Sequence, residues 1–118
     1  MASAGGWRVT ARVVEALMAF DDPLKVAIDA DAVGVVLCVR PRLRGDRFQP
    51  LGMASEVRLQ DVLVNAKVRR TQRDGLPLVV GDRGIAWVVG VRIAEWAKVT
   101  PGTRHVVELA ATRLVDAS

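Results

Sequence analysis

Cysteine and histidine occur once each in the 118-residue chain, as Cys38 and His105, and aromatic residues make up 4% of it with no tyrosine. A single cysteine excludes an internal disulfide, and so poor a Cys/His set excludes a zinc site built from those ligands. Cys38 lies in the apolar run Val35–Val39 and reads as a small buried hydrophobe. His105 is too far away in sequence to be read as its base. It reads instead as a surface or edge histidine. No apolar run approaches the ~20 residues that span a bilayer. Met1–Gly6 is small and polar, unlike the charged-then-apolar start of a signal peptide. These absences lead us to expect a cytoplasmic protein with no membrane partner. Residues 1–6 read as a flexible lead-in and residues 7–118 as a single domain. Nucleotide-binding glycine loops are missing too: there is no Gly-x-x-x-x-Gly-Lys, and no Gly-x-Gly-x-x-Gly after a strand. Most acidic residues sit where turns need them for local hydrogen bonds. No catalytic constellation emerges, so the expectation is a domain that is non-catalytic by itself, with no cofactor or metal of its own.

Apolar residues and positive charge are what the chain does have. Hydrophobic residues are 51% of the total, enough for a core at this length. The net charge is +4, unevenly spread. Met1–Val39 carries −2 and Asp74–Ser118 balances, whereas Arg40–Arg73 holds nine basic residues against three acidic, or +6. A basic patch of this kind attracts a polyanion such as nucleic acid, or serves only as a solvated face. Arginines outnumber lysines fourteen to three. Arginine forks suit phosphates and base edges, though a GC-rich genome also enriches arginine.

Alternation predicts a strand over Trp7–Leu17, with Val9, Ala11 and Val13 inward. A turn follows at Asp21-Asp22-Pro23, then a short strand at Lys25–Asp29 and a turn at Asp29-Ala30-Asp31. Gly34–Val39 reads as a buried strand, and Arg40–Asp46 as a basic loop. The period then changes. Leu59, Val62, Leu63 and Ala66 fall on one helical face, with Ser55 as candidate cap. A second short helix or turn covers Arg70–Gly75. Leu78–Val80 and Ile85–Val89 flank a Gly/Asp turn and read as a hairpin. Gly90 marks a bulge before Val91–Ala94. Thr100-Pro101-Gly102 is a turn and His105–Leu114 a last strand. About seven short strands and one or two short helices give an α+β, strand-rich single domain.

An ordered series of motifs runs through the second half: Gly45-Asp46-Arg47-Phe48-Gln49-Pro50-Leu51-Gly52-Met53, Arg58-Leu59-Gln60-Asp61, Asn65-Ala66-Lys67-Val68, Arg73-Asp74-Gly75-Leu76-Pro77-Leu78-Val79, Ile85-Ala86-Trp87-Val88-Val89-Gly90, Arg92-Ile93 and Lys98-Val99-Thr100. Together they resemble the C-terminal domain of tRNA(Ile)-lysidine synthetases over about half of the chain. The resemblance implies a strand-rich α+β fold related to a tRNA-binding-type domain of phenylalanyl-tRNA synthetase. It implies a role as well: gripping the acceptor-stem side of an isoleucine tRNA with a CAU anticodon. In that family a separate N-terminal ATP-pyrophosphatase domain, a ligase using ATP and Mg, attaches lysine to the wobble cytidine. The Ser-Gly-Gly-x-Asp-Ser loop of that catalytic domain is absent from this sequence. The chain also departs from the family pattern in having Arg69 where proline is frequent, Arg58 where lysine is usual, and no glycine around Ala54-Ser55-Glu56.

Arg47, Arg58, Lys67, Arg70 and Arg73 are the foremost RNA-contact candidates, with Arg69 and Lys98 behind them. An A-form stem offers phosphates and 2′-hydroxyls that such side chains reach. Surface pairing with Asp46, Asp61 or Asp74 is the competing role for these residues. Phe48, Trp87 and Trp96 are candidates for base stacking, but Trp87 lies in an apolar strand and is expected in the core. An alternative reading makes the chain a packing or homodimerisation domain of the same synthetase, with little RNA contact.

Overall fold

The apolar runs of the second half meet as a hairpin whose two strands are buried on both faces, and the rest of the molecule is arranged around it. The structure, a computed structural model, describes residues 2–4, 6–15 and 22–114. Leu17 and Asp21, which the sequence reading included in a strand and a turn, lie outside these residues.

The described elements, in chain order, are β1 (Ala2–Ala4), β2 (Trp7–Val14), β3 (Lys25–Asp29), α1 (Ala30–Val33), β4 (Cys38–Arg40), β5 (Arg47–Phe48), β6 (Val57–Arg58), α2 (Leu59–Asn65), α3 (Arg70–Arg73), β7 (Leu78–Gly81), β8 (Gly84–Val88), β9 (Arg92–Ile93), a single 3-10 turn (Glu95–Ala97) and β10 (Val106–Arg113). One sheet has the order β1-β2-β10-β3 and a second β4-β7-β8-β9, while β5 and β6 form a separate ribbon. All pairings are antiparallel. The described residues thus hold ten strands, more than the seven expected. The extra ones are two- and three-residue strands, too short to leave a periodic signal.

Val9, Ile28 and Leu109 from the first sheet, Leu78, Trp87 and Val88 from the second, and Phe48, Leu59 and Leu63 from the ribbon and α2 share one core. Full burial of such a side chain contributes roughly 1.5–3 kcal/mol. The hairpin turn is Asp82-Arg83, flanked by Gly81 and Gly84. The bulge expected at Gly90 lies instead between Val79 and Val80, and Gly90 (φ +77°) belongs to the turn into β9.

Five other expectations need correction. The turn at Asp29-Ala30-Asp31 is the start of α1: Asp29 caps it, its Oδ1 accepting from Asp31 N at 2.9 Å and Ala32 N at 3.1 Å. Residues 2–4, read as a flexible lead-in, pair with β2. On β2, Val9 is buried as expected, but Ala11 is exposed and Val13 is 70% exposed; β1 pairs with β2 only from Trp7 to Val9, so beyond Val9 the strand has no β1 neighbour. Gly34–Val39 is not a buried strand. After Gly34 the chain crosses the surface, leaving Val35 fully exposed and Val36 at 70%, and only Cys38–Arg40 pairs, on the outer edge of β7. Cys38 is exposed there rather than buried.

Candidate nucleic-acid interface

The acidic residue of the Gly45-Asp46-Arg47 motif organises the basic ones. Arg40 at the end of β4 and Asp46 form a two-pronged ion pair, Nη1–Oδ2 at 2.9 Å and Nη2–Oδ1 at 3.0 Å. Leu43 N also donates to Asp46 Oδ2, at 2.7 Å. These bonds, from Arg40 first and from the Leu43 amide, hold the Asp46 carboxyl below the usual carboxylate range. The same pairing raises Arg40 above its ordinary value, so the two shifts agree. The loop between them, residues 41–45, is thereby folded back on itself. The backbone carbonyl of Asp46 then accepts from Leu59 N at 3.0 Å, at the first residue of α2. That bond satisfies one of the N–H groups left free at the start of α2. Arg58 occupies the cap position, with no side-chain cap, and Ser55 does not cap.

Immediately after Asp46, β5 pairs with β6 so that Arg47 stands directly opposite Arg58. Residues opposite one another on a two-stranded ladder share a face, and like charges there repel. Both are exposed. Arg47 Nη2 donates to the Glu56 carbonyl at 3.3 Å, and its Nε lies 4.0 Å from the Glu56 carboxylate. Arg58 has no ion pair among the described residues. The two face an open cleft of about 560 Å³ that Arg42, Arg44, Gln60 and Asp74 also line. Arg42 spans it, its Nε 2.9 Å from Asp74 Oδ1. Four guanidiniums around one cleft outnumber the acids Asp46 and Asp74, and Asp46 is committed to Arg40. Such a surface favours a ligand with repeated negative charge. Arg42 and Arg44 were read only as part of a basic loop. The signal that would have singled them out is the Arg-x-Arg-x-Arg run at residues 40–44, which brings three cations to one turn.

The other candidates lie beyond α2. Its C-terminus closes with Lys67 N bonded to Val64 O and Val68 N to Leu63 O, each at 3.0 Å. This is the double bond pattern of a Schellman turn, which asks for a left-handed residue at Lys67. Lys67 has φ +59°, where glycine is ordinarily found. Arg69 precedes α3; both Arg69 and Arg70 are exposed, without ion pairs among the described residues. Arg73 is half-buried, and its Nε donates to Val68 O at 3.0 Å, bracing the turn. Lys98 pairs with Glu95, which also accepts from Gly52 N. The Lys98 ammonium and then the Gly52 amide lower the Glu95 pKa. Lys98 thus braces the Gly52 turn and does not line the arginine cleft. Of the expected acidic competitors, Asp46 and Asp74 pair with Arg40 and Arg42, neither of them a candidate. Phe48 (1% exposed) and Trp87 (0%) are core residues with no face for a base. Trp96 is half-buried, with the Arg83 guanidinium 5.1 Å from its ring centroid. His105 sits on the surface beside Asp31, Nδ1 to Oδ2 at 3.1 Å.

Comparison with known proteins bears on this arrangement. Residues 37–109, more than half of the chain, match the family model described as the TilS substrate C-terminal domain. The tRNA(Ile)-lysidine synthase of Dehalococcoides mccartyi is 36% identical over 107 residues, 88% of this chain but 23% of that protein. The tRNA(Ile)-lysidine synthase of Symbiobacterium thermophilum is 43% identical over 91 residues, 77% of this chain and 19% of that protein. The chain therefore spans about a quarter or less of the length of these relatives. A crystal structure of a TilS C-terminal domain superposes with a TM-score of 0.79 at 24% identity, covering 95% of this chain and 88% of that one. An N-terminal fragment of the phenylalanyl-tRNA synthetase β-subunit from Pyrococcus horikoshii gives 0.69 at 16% identity, covering 92% and 40%. At those identities the two structures speak for the fold alone, and they agree with the strand-rich α+β architecture. No helix among the described residues is long and apolar enough to cross a membrane. The length of the family match and the identity of the relatives establish that the chain belongs to the family of C-terminal domains of tRNA(Ile)-lysidine synthases.

Proposed function

We propose that the chain is the tRNA-gripping domain of a tRNA(Ile)-lysidine synthetase, holding the acceptor-stem side of an isoleucine tRNA with a CAU anticodon. In this reading a separate ATP-pyrophosphatase domain, working in the cytoplasm as a ligase with ATP and Mg, attaches lysine to the wobble cytidine. The reading assigns ATP and Mg to that catalytic domain. The observation that carries the proposal is the Arg47–Arg58 cross-strand pair opening, with Arg42 and Arg44, onto one cleft. Without a ligand those guanidiniums repel; a phosphate backbone converts the repulsion into binding. Phosphates and 2′-hydroxyls of an A-form stem offer what such a cleft takes.

The test is fluorescence anisotropy against unmodified isoleucine tRNA with a CAU anticodon at two salt concentrations, with elongator methionine tRNA as competitor. Salt-sensitive binding that favours the isoleucine tRNA is the expected result. Absence of binding at low salt sinks the proposal. A second reading, a packing or homodimerisation domain, draws on the exposed Val35 and Val36. It predicts concentration-dependent dimers in light scattering and negligible RNA affinity.

A further inference from the structure

A second cleft, of about 400 Å³, differs in kind from the arginine cleft. The border is shared: Asp74, directly after α3, lines the first cleft, whereas Thr71, Gln72 and Gly75 line the second. Trp7, at the start of β2, and Arg113, at the end of β10, are direct register partners and both line it. The Arg113 guanidinium lies over the Trp7 ring, 5.6 Å from its centroid, so the pair is stacked and presents planar groups to the cleft. Leu24, Val68 and Leu76, partly buried against the core, supply an apolar floor. Thr71 and Gln72 add a hydroxyl and an amide.

Lys67 lines this cleft as well, from the left-handed position that closes α2. A side chain at that position strains the backbone relative to glycine. Its ammonium has no ion pair among the described residues. An anionic ligand would give this cation on strained backbone a partner.

A free phosphate would make no use of the planar wall and apolar floor, and an apolar ligand would make no use of two cations. One chemistry uses all of them: a nucleotide, with a planar base and an anionic phosphate. We infer that this cleft takes one unpaired nucleotide of an RNA strand, its base against the Trp7–Arg113 wall and its phosphate at Lys67. The inference rests on the RNA-binding reading above. It adds a single-stranded element to what the arginine cleft alone would make a clamp on duplex backbone. Arg69 and Arg70, exposed between Lys67 and Thr71 in the chain, are further cations near this cleft in sequence.

The experiment compares two RNAs on the 118-residue chain by anisotropy: a blunt hairpin and the same hairpin with an unpaired 3′ tail. Stacking of one base leads us to expect about tenfold tighter binding of the tailed RNA. Trp7→Ala is expected to bring the ratio of the two affinities close to one. Because that change also removes packing against the core, Lys67→Ala serves as the second variant, and it too is expected to lower the ratio. Equal binding of the two RNAs by the unaltered chain overturns the inference and leaves the duplex clamp standing. A ratio that survives both substitutions overturns the assignment to this cleft. If neither hairpin binds, both readings fall.

Discussion

The two clefts differ as a surface for charge differs from a surface for shape. The first sets four arginines on a loop and a two-stranded ribbon and offers no exposed ring; the second sets one lysine and one arginine beside an indole and an apolar floor. Phosphate contacts dominate affinity and its salt dependence, whereas stacking adds affinity through the faces of the bases. The comparison teaches that basic residues of one chain need not act alike, and substitutions in the two clefts should leave different signatures.

The largest expected effect comes from Arg47→Ala with Arg58→Ala. Losing two phosphate contacts should weaken tRNA binding by about 2 kcal/mol, roughly thirtyfold, and reduce the salt slope by about two. Thermal stability should hold or rise, because like charges opposite one another are removed. Arg12→Ala is the control: Arg12 is exposed on the first sheet, paired with Glu108, and should leave the slope unchanged. An equal loss from Arg12→Ala would reduce the cleft to one part of a diffuse basic surface.

Next in size is the brace beneath the cleft. Asp46→Ala leaves the Arg40 guanidinium, 25% exposed, without its partner, and should cost about 1–3 kcal/mol of stability. Calorimetry measures this directly. The pH dependence has a definite sign. The carboxyl is held below its ordinary value, so its contribution is complete above the unfolded pKa of ~3.9 and is lost as pH falls through the lower, folded value. The stability gap between the unaltered chain and Asp46→Asn should therefore be full at neutral pH and close below about pH 4. A gap that stays constant down to acid pH would show that Asp46 acts by shape rather than charge.

What was legible in the sequence divides along similar lines. The β7–β8 hairpin, α2 and β10 were readable because their burial follows a period and breakers bound them. Gly34–Val39 was misread because an apolar run says nothing about whether a neighbour exists to cover it: β4 is an edge strand, and Val35 and Val36 face solvent. The β5–β6 ribbon was invisible, since two-residue strands joined through residues 49–56 leave neither alternation nor a turn signature. Arg47 and Arg58 were therefore recognisable singly, from charge and motif, but not as partners. Arg42 and Arg44 were missed because their role depends on Asp46 folding the loop back, a tertiary fact. In the sequence Trp7 marks only the start of a strand; its place in the cleft that Lys67 also lines depends on β10 returning along β2 to its end, which no local pattern announces.

The smallest effect is the most discriminating, because it moves stability and binding in opposite directions. Lys67 occupies the left-handed position of the turn that ends α2. Replacing a side chain there by glycine relieves the Cβ clash, but also frees the unfolded chain, so the net gain should be roughly 0.5–1 kcal/mol. Lys67→Ala keeps the Cβ and the strain, and should leave stability near its starting value. Both remove the ammonium. If the lysine is held for its charge, the two variants should lose the same RNA affinity while differing in melting temperature, Lys67→Gly melting higher. If Lys67→Gly instead melts lower, the lysine stem is packing usefully against the α2–α3 turn, and its backbone conformation is no longer evidence for a ligand. The pair of variants thus separates the backbone requirement of the turn from the chemical requirement of the cleft, which the Arg47 and Arg58 substitutions, made on ordinary extended backbone, cannot do.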